Sequence, residues 1–290
     1  MKRAALTLMS VLVFPVGLFA QTTVDKRLPA APQGVVEIEI PAGSVKVIGW
    51  SNAEVQITGT LAAGAELGFD SEGDSTEIQI ESEGHPRYSV SDIEVHVPAG
   101  SQVAVEGVEL DIEVTGVTGS VEAETVNGAI TQSGAAKDVS IQSVNGSVDV
   151  RGVVGRIEIE VVNGTITIDE SSGDLEAGAV NGEVVVTGGP FENVALESVA
   201  GDVRFDADLS AQGRLDIETV SGSVYVFVAP DVQADFSIET FSGQIENGLG
   251  VGTIQEEKYM PAKELTFVTG SGGPRITVET LSGSVHIRTR

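Results

Sequence analysis

The stretch Ile157-Glu158-Ile159-Glu160-Val161-Val162-Asn163-Gly164-Thr165-Ile166-Thr167-Ile168 carries the fold of this chain in miniature. Apolar and polar residues alternate from Ile157 to Glu160. A glycine corner follows, and alternation resumes at Thr165. A period of two is that of a β-strand with one buried face. The pattern predicts two short strands, 157–160 and 165–168, joined at Gly164. It also predicts an inward Val162 within the Val-Asn-Gly corner.

The same unit recurs along the chain. Val-Asn-Gly ends at Gly128, Gly146, Gly164 and Gly182, at one constant spacing. Variants end at Gly201, Gly222, Gly243 and Gly283, where the spacing widens. Seven residues before each glycine stands an apolar residue: Val121, Val139, Ile157, Leu175, Val194, Leu215, Phe236 and Ile276. Two residues after it stand Ile130, Val148, Ile166, Val184, Val203, Val224, Ile245 and Val285. Such a unit is too short to bury its apolar face alone, so copies must stack. Antiparallel pairing would reverse alternate copies and part each motif from its repeat. The expected fold is therefore all-β, a single-stranded parallel β-solenoid (β-helix) with about 18 residues per coil.

The expected organisation has three parts. Residues 1–20 read as a signal peptide: Lys2 and Arg3 precede the apolar run Ala4 to Phe19, and Ala20 offers a small residue for cleavage. No apolar span follows, so no transmembrane anchor is expected after cleavage. Residues 21–102 read as an N-terminal β-region of diverged coils or a cap. In it, Gly64 to Pro86 reads as loops around one strand at Glu77 to Ile80. Residues 103–290 read as solenoid repeats with an insertion at 248–274 that holds a strand at Leu265 to Val268. Leu110 occupies the place of the corner glycine in the first coil. The closing strand, Val285 to Thr289, would leave an exposed edge.

Composition narrows the partners. The 290 residues include 35 glycines and no cysteine, aromatics are 4%, and the net charge is −27. Nucleic acid is excluded as a partner, since phosphate binding needs a basic face. An unknown envelope protein or glycan, and weak divalent cation binding, remain open. No cofactor is implied. Export fits a location in the periplasm, at the cell surface or outside the cell. The absence of cysteine removes both disulfides and lipid attachment at that residue.

Two rows are candidate sites. Asn127, Asn145, Asn163 and Asn181, with Gly128, Gly146, Gly164 and Gly182, form a structural corner ladder, the alternative being a row of sugar-binding amides. Four residues before successive later glycines stand Glu197, Glu218, Glu239 and Glu279. If the 248–274 insertion loops out, these stack in sequence order about 5 Å apart. They form either a solvated face that blocks aggregation or a cation or partner surface. No catalytic, cofactor-binding or metal residue is identified. His85, His96 and His286 lack metal-ligand spacing, and Trp50 and Tyr259 either pack at the solenoid ends or stack on a sugar.

The Val-Asn-Gly and Val-Ser-Gly units, the Val97-Pro98-Ala99-Gly100 entry, and the block from Leu265-Thr266-Phe267 through Ser282-Gly283-Ser284-Val285 resemble the bacterial "putative adhesin" family of β-strand-repeat proteins, a domain of unknown function. The likeness spans Val36 to Ile287. It implies a β-solenoid-like envelope domain without assigned catalytic residues. The function expected is thus an exported, non-catalytic interaction or structural module with an extended acidic β-surface. The alternatives are a polysaccharide-active β-helix enzyme and a self-assembling envelope scaffold. From 103 to 247 there are 26 Asp and Glu against 5 Lys and Arg, which would repel a polyanionic sugar.

Overall fold

The computed structural model describes residues 21–82, 90–256 and 261–290. The signal-peptide segment, His85 and Tyr259 lie outside the described residues. The described residues form twenty-two strands in one hydrogen-bonded sheet, without a helix among them. Ile157 pairs in parallel with Val139 on one side and Leu175 on the other. Further along, Leu175 pairs with Val194 and Val194 with Leu215. The repeated motif therefore meets its own copy in the neighbouring strand. Two apolar columns result, one through Val139, Ile157 and Leu175, the other through Val148, Ile166 and Val184, and all six are buried. Burying such side chains contributes about 1.5–3 kcal/mol each, offset by the entropy of ordering the chain.

The corner glycines are required by close approach. A Cβ on Gly146 would lie 1.8 Å from the carbonyl oxygen of Gly128, and one on Gly164 would lie 2.1 Å from that of Gly146. Each corner thus seats on the peptide of the corner beside it. The backbone continues to bond through the turn, with the Gly146 amide donating to the Asn163 carbonyl and the Val148 amide to Thr165.

Val162 does not point inward. Its neighbour Val161 is buried at 2% exposure, whereas Val162 is 40% exposed. The alternation Ile157, Ile159, Val161 runs one step further into the corner than the tripeptide suggests. Thr125, Ser143, Ser198 and Thr219 occupy the corresponding place in other coils and are buried. The first coil differs in its corner: Leu110 is fully buried and pairs with Gly43. The interior also holds Gln132, which pairs with Val114 and Val150 and whose side-chain amide atoms both lack a partner.

The two ends depart from simple succession. Strands Arg275–Thr280 and Val285–Thr289 do not cap the stack. Arg275–Thr280 pairs with Val203–Ser221 on one side and Asp235–Thr240 on the other. Val285–Thr289 likewise lies between Val224–Val228 and Ile245–Asn247. The expected exposed edge at Val285 to Thr289 is therefore covered over Val285, His286 and Ile287, because an earlier stretch of chain packs outside it, while Arg288 and Thr289 stay exposed. Asp235–Thr240 is covered in turn by the antiparallel strand Lys263–Val268. That strand includes the expected 265–268 segment.

At the other end, Val35–Trp50 pairs with Gln102–Thr115, and on its far side with both Ser75–Ser82 and Ser91–Pro98. The described part of the Gly64 to Pro86 stretch contains two strands, not one: Ala65–Glu72 forms an antiparallel hairpin with Ser75–Ser82. Leu67 and Phe69 pack against the core from this hairpin. Their alternation is diluted by Gly68 and the acids around it, so it reads as loop.

Candidate binding groove

In each coil, the strand that enters the corner presents outward the residues six, four and two places before the glycine. In the central coil these are Glu158, Glu160 and Val162. In-register parallel pairing turns each place into a row along the stack. The row four places before the glycine runs through Glu106, Glu124, Gln142, Glu160, Gly178 and Glu197 by successive pairing. It is prolonged at one end by Glu39, paired with Glu106, and at the other by Glu264, paired with Glu239.

The expected order of the last glutamates is overturned. Glu197 pairs with Glu218, Glu218 with Glu279, and Glu279 with Glu239. Glu279 stands between Glu218 and Glu239 because Arg275–Thr280 is inserted there. These four glutamates are exposed and make no hydrogen bond or ion pair among the described residues. Neighbouring strands stand about 4.8 Å apart, so the row concentrates negative charge.

A second row lies beside it and was missed by sequence reasoning. Val108, Val126, Val144, Val162, Val180, Val199, Val220, Leu281 and Phe241 are 40–55% exposed. Apart from Val108, their valines belong to the repeated corner tripeptide, which reads as core at Val162. The signal was available: each stands two residues after the glutamate-row position, hence on the same face of its strand. The Leu281 amide donates to the Thr219 carbonyl, and the Phe241 amide to that of Thr280. Leu281 therefore falls between Val220 and Phe241.

Together the two rows line a groove of about 1490 Å³ that reaches from Pro41 and Gln79 at one end to Ala262 and Lys263 at the other. Among the described residues, eleven glutamates border it against one lysine, Lys263. That lysine bonds to the Gln244 side chain at 2.5 Å and lies 3.8 Å from Glu256.

The asparagines form a hydrogen-bonded ladder. Asn145 Nδ2 donates to Asn127 Oδ1 at 3.0 Å, Asn163 to Asn145 at 2.9 Å, and Asn181 to Asn163 at 3.0 Å. Each interior amide thus spends its carbonyl and one N–H on its neighbours.

The remaining candidates fall elsewhere. Trp50 donates to the Glu54 carbonyl at 2.9 Å, and its ring centroid lies 4.9 Å from that of His96. His286 stacks on Tyr225 at 4.8 Å and its Nδ1 lies 2.8 Å from Glu246. Near it Arg204 lies over the Phe227 ring, and Arg290 pairs with Asp206 and Asp208. Asp169, paired in register with Arg151, accepts from the Thr187 hydroxyl at 2.6 Å. That bond and the Arg151 guanidinium hold its carboxyl below the usual range. No group of three His, Asp or Glu is arranged to hold a metal among the described residues. None of these residues forms a helix long and apolar enough to cross a membrane.

Residues 35–288 match the family model described as Toastrack DUF4097. Among solved structures, a "putative adhesin" from Parabacteroides distasonis is similar at 9% identity, with a TM-score of 0.51, covering 93% of this chain and 97% of the other. A "putative cell adhesion protein" from Clostridium sporogenes is similar at 9% identity, with 93% and 100% covered and a TM-score of 0.24. A "putative lipid binding protein" from Parabacteroides distasonis is similar at 12% identity, with 92% and 96% covered and a TM-score of 0.38. No curated protein matches the chain.

Proposed function

For a chain that belongs to the Toastrack DUF4097 family, we propose the role of an exported, non-catalytic interaction module of the cell envelope, whose binding surface is the groove. In this reading residues 1–20 are removed on export. Residues 21–102 form an N-terminal β-region, and 103–290 form a stack of coils of about 18 residues each. The observation that carries the proposal is the exposed apolar row running beside the glutamates. A continuous apolar strip on a soluble protein is costly to leave uncovered and marks a contact surface. A repeated contact along a stack also suits binding better than turnover.

The polysaccharide-active alternative draws less support. A glycoside hydrolase needs one carboxylate pair set apart in protonation and spacing, whereas the groove repeats equivalent glutamates. A self-assembling scaffold would have to overcome the net charge of −27.

The proposal is tested by capture from envelope fractions, with and without calcium. The parent is compared with a triple variant, Val144→Ser, Val162→Ser and Val180→Ser. Reproducible capture of an envelope protein or glycan by the parent, lost in the variant, supports the groove. Equal capture by both, or release of sugar products by the parent, overturns it. Amino-terminal sequencing of the exported protein should begin at Gln21.

A further inference from the structure

We infer that the groove takes a cationic amphipathic polypeptide segment, laid as a helix along the stack. The inference rests on the reading of the groove as a binding surface and adds the chemistry and shape of what it binds.

Charge selects the sign of the partner. With eleven glutamates and a single lysine at its border among the described residues, the groove repels anionic lipid, nucleic acid and a second copy of this chain, which itself carries −27. The apolar row then removes the simplest cations. A polyamine could lie along the paired Glu197, Glu218 and Glu279, yet it would leave Val199, Val220 and Leu281 in water, as would any simple cation. The partner must carry positive charge and apolar surface side by side, in two parallel stripes.

Spacing selects its shape. Both rows advance about 4.8 Å per strand. An extended chain running the same way repeats a face about every 6.6–6.8 Å and loses step after two or three strands. An α-helix advances about 5.4 Å per turn. Over four strands its stripes drift from the rows by about 2.4 Å, within the reach of flexible lysine side chains. Ten pairings separate Glu39 from Glu264 along the row, so the groove is about 48 Å long and accepts a helix of about 30 residues at most.

The test uses a synthetic helix-forming peptide of about five turns with adjacent lysine and leucine stripes. Its controls are the same residues scrambled so that the stripes vanish, a glutamate-for-lysine version, and phosphatidylglycerol vesicles. Titration calorimetry reads affinity. Because the described residues of the protein hold no helix, difference circular dichroism reads helix formation by the peptide. The expected result is micromolar binding that gains helical signal and weakens as salt rises. The triple variant Glu197→Gln, Glu218→Gln and Glu279→Gln should weaken binding at least tenfold, with an unchanged β spectrum. So should Val180→Ser, Val199→Ser and Val220→Ser. The inference is overturned if the striped peptide fails to bind, if scrambled peptide or vesicles bind equally well, if helix does not form, or if the glutamine variant keeps full affinity. Should envelope capture depend on the valines but be indifferent to the glutamine variant, the groove remains a binding surface and only this partner is wrong.

Discussion

Glu218 lies in register with Glu279, not with Glu239, although Glu239 is the nearer in sequence. The acidic row is therefore assembled from segments out of chain order, and its couplings follow space. Like charges directly opposite on neighbouring strands oppose each other by about 0.2–1 kcal/mol. In double-mutant cycles by thermal melting at low salt, Glu218→Gln and Glu279→Gln should couple, whereas Glu218→Gln and Glu239→Gln should be additive. Each single change should raise the melting temperature, and added sodium chloride should shrink the gain. Stronger coupling of Glu218 with Glu239 would contradict the strand order.

The corner valines give a sharp contrast. Val161→Asp places a carboxylate in the core without a partner and should cost several kcal/mol in urea denaturation. Val162→Ser, one residue on, should cost less than about 1 kcal/mol. Equal losses would mean that the faces are reversed.

Glycine positions separate in the same way. Gly164→Ala drives a methyl against the Gly146 carbonyl oxygen at 2.1 Å, and should destabilise by more than about 3 kcal/mol or prevent folding. At Gly178 an added Cβ meets nothing within 4 Å. Gly178→Ala should stabilise by about 0.4–1 kcal/mol, by restricting the unfolded chain. A melting-temperature increase for the second and a large decrease for the first are the expected readings.

Acid sensitivity should trace in part to Asp169. Its carboxyl is lowered by the Thr187 hydroxyl first and by Arg151 next. A lowered folded value means that the stabilising contribution is present above the ordinary carboxylate pKa of about 3.9. The contribution is then lost as pH falls through the folded value. Asp169→Asn should be slightly less stable at neutral pH and should lose less stability as pH falls below about 4. Solvent screening keeps both effects small. A variant whose acid-induced loss equals the parent's would remove Asp169 from the account.

The sequence revealed the inward and outward faces of the strands up to the corner, because eight copies of one pattern share a register, and period two admits one burial pattern. It could not reveal the order of the last strands. The copies ending at Gly243 and Gly283 carry the same apolar places, so either fits against the coil ending at Gly222. The choice depends on what covers the far side, and Lys263–Val268 covers Asp235–Thr240. The glutamate row was legible because acids in an alternating strand must face water. The valine row was not, since an isolated valine beside a corner looks like core, and only its parity with Glu160 shows otherwise.

The placement of Arg275–Thr280 and Val285–Thr289 inside the stack bears on how the molecule is made. A ribbon of repeats can usually be finished in the order in which it is synthesised, and lengthened by adding units at the end. Here the coil around residues 235–247 cannot dock until residues 275–289 have emerged, because they are its seat. That coil must therefore wait for strands Arg275–Thr280 and Val285–Thr289 before it can close. A chain cut short before Arg275 would leave the facing edges of Val203–Ser221 and Asp235–Thr240 without the strand that joins them.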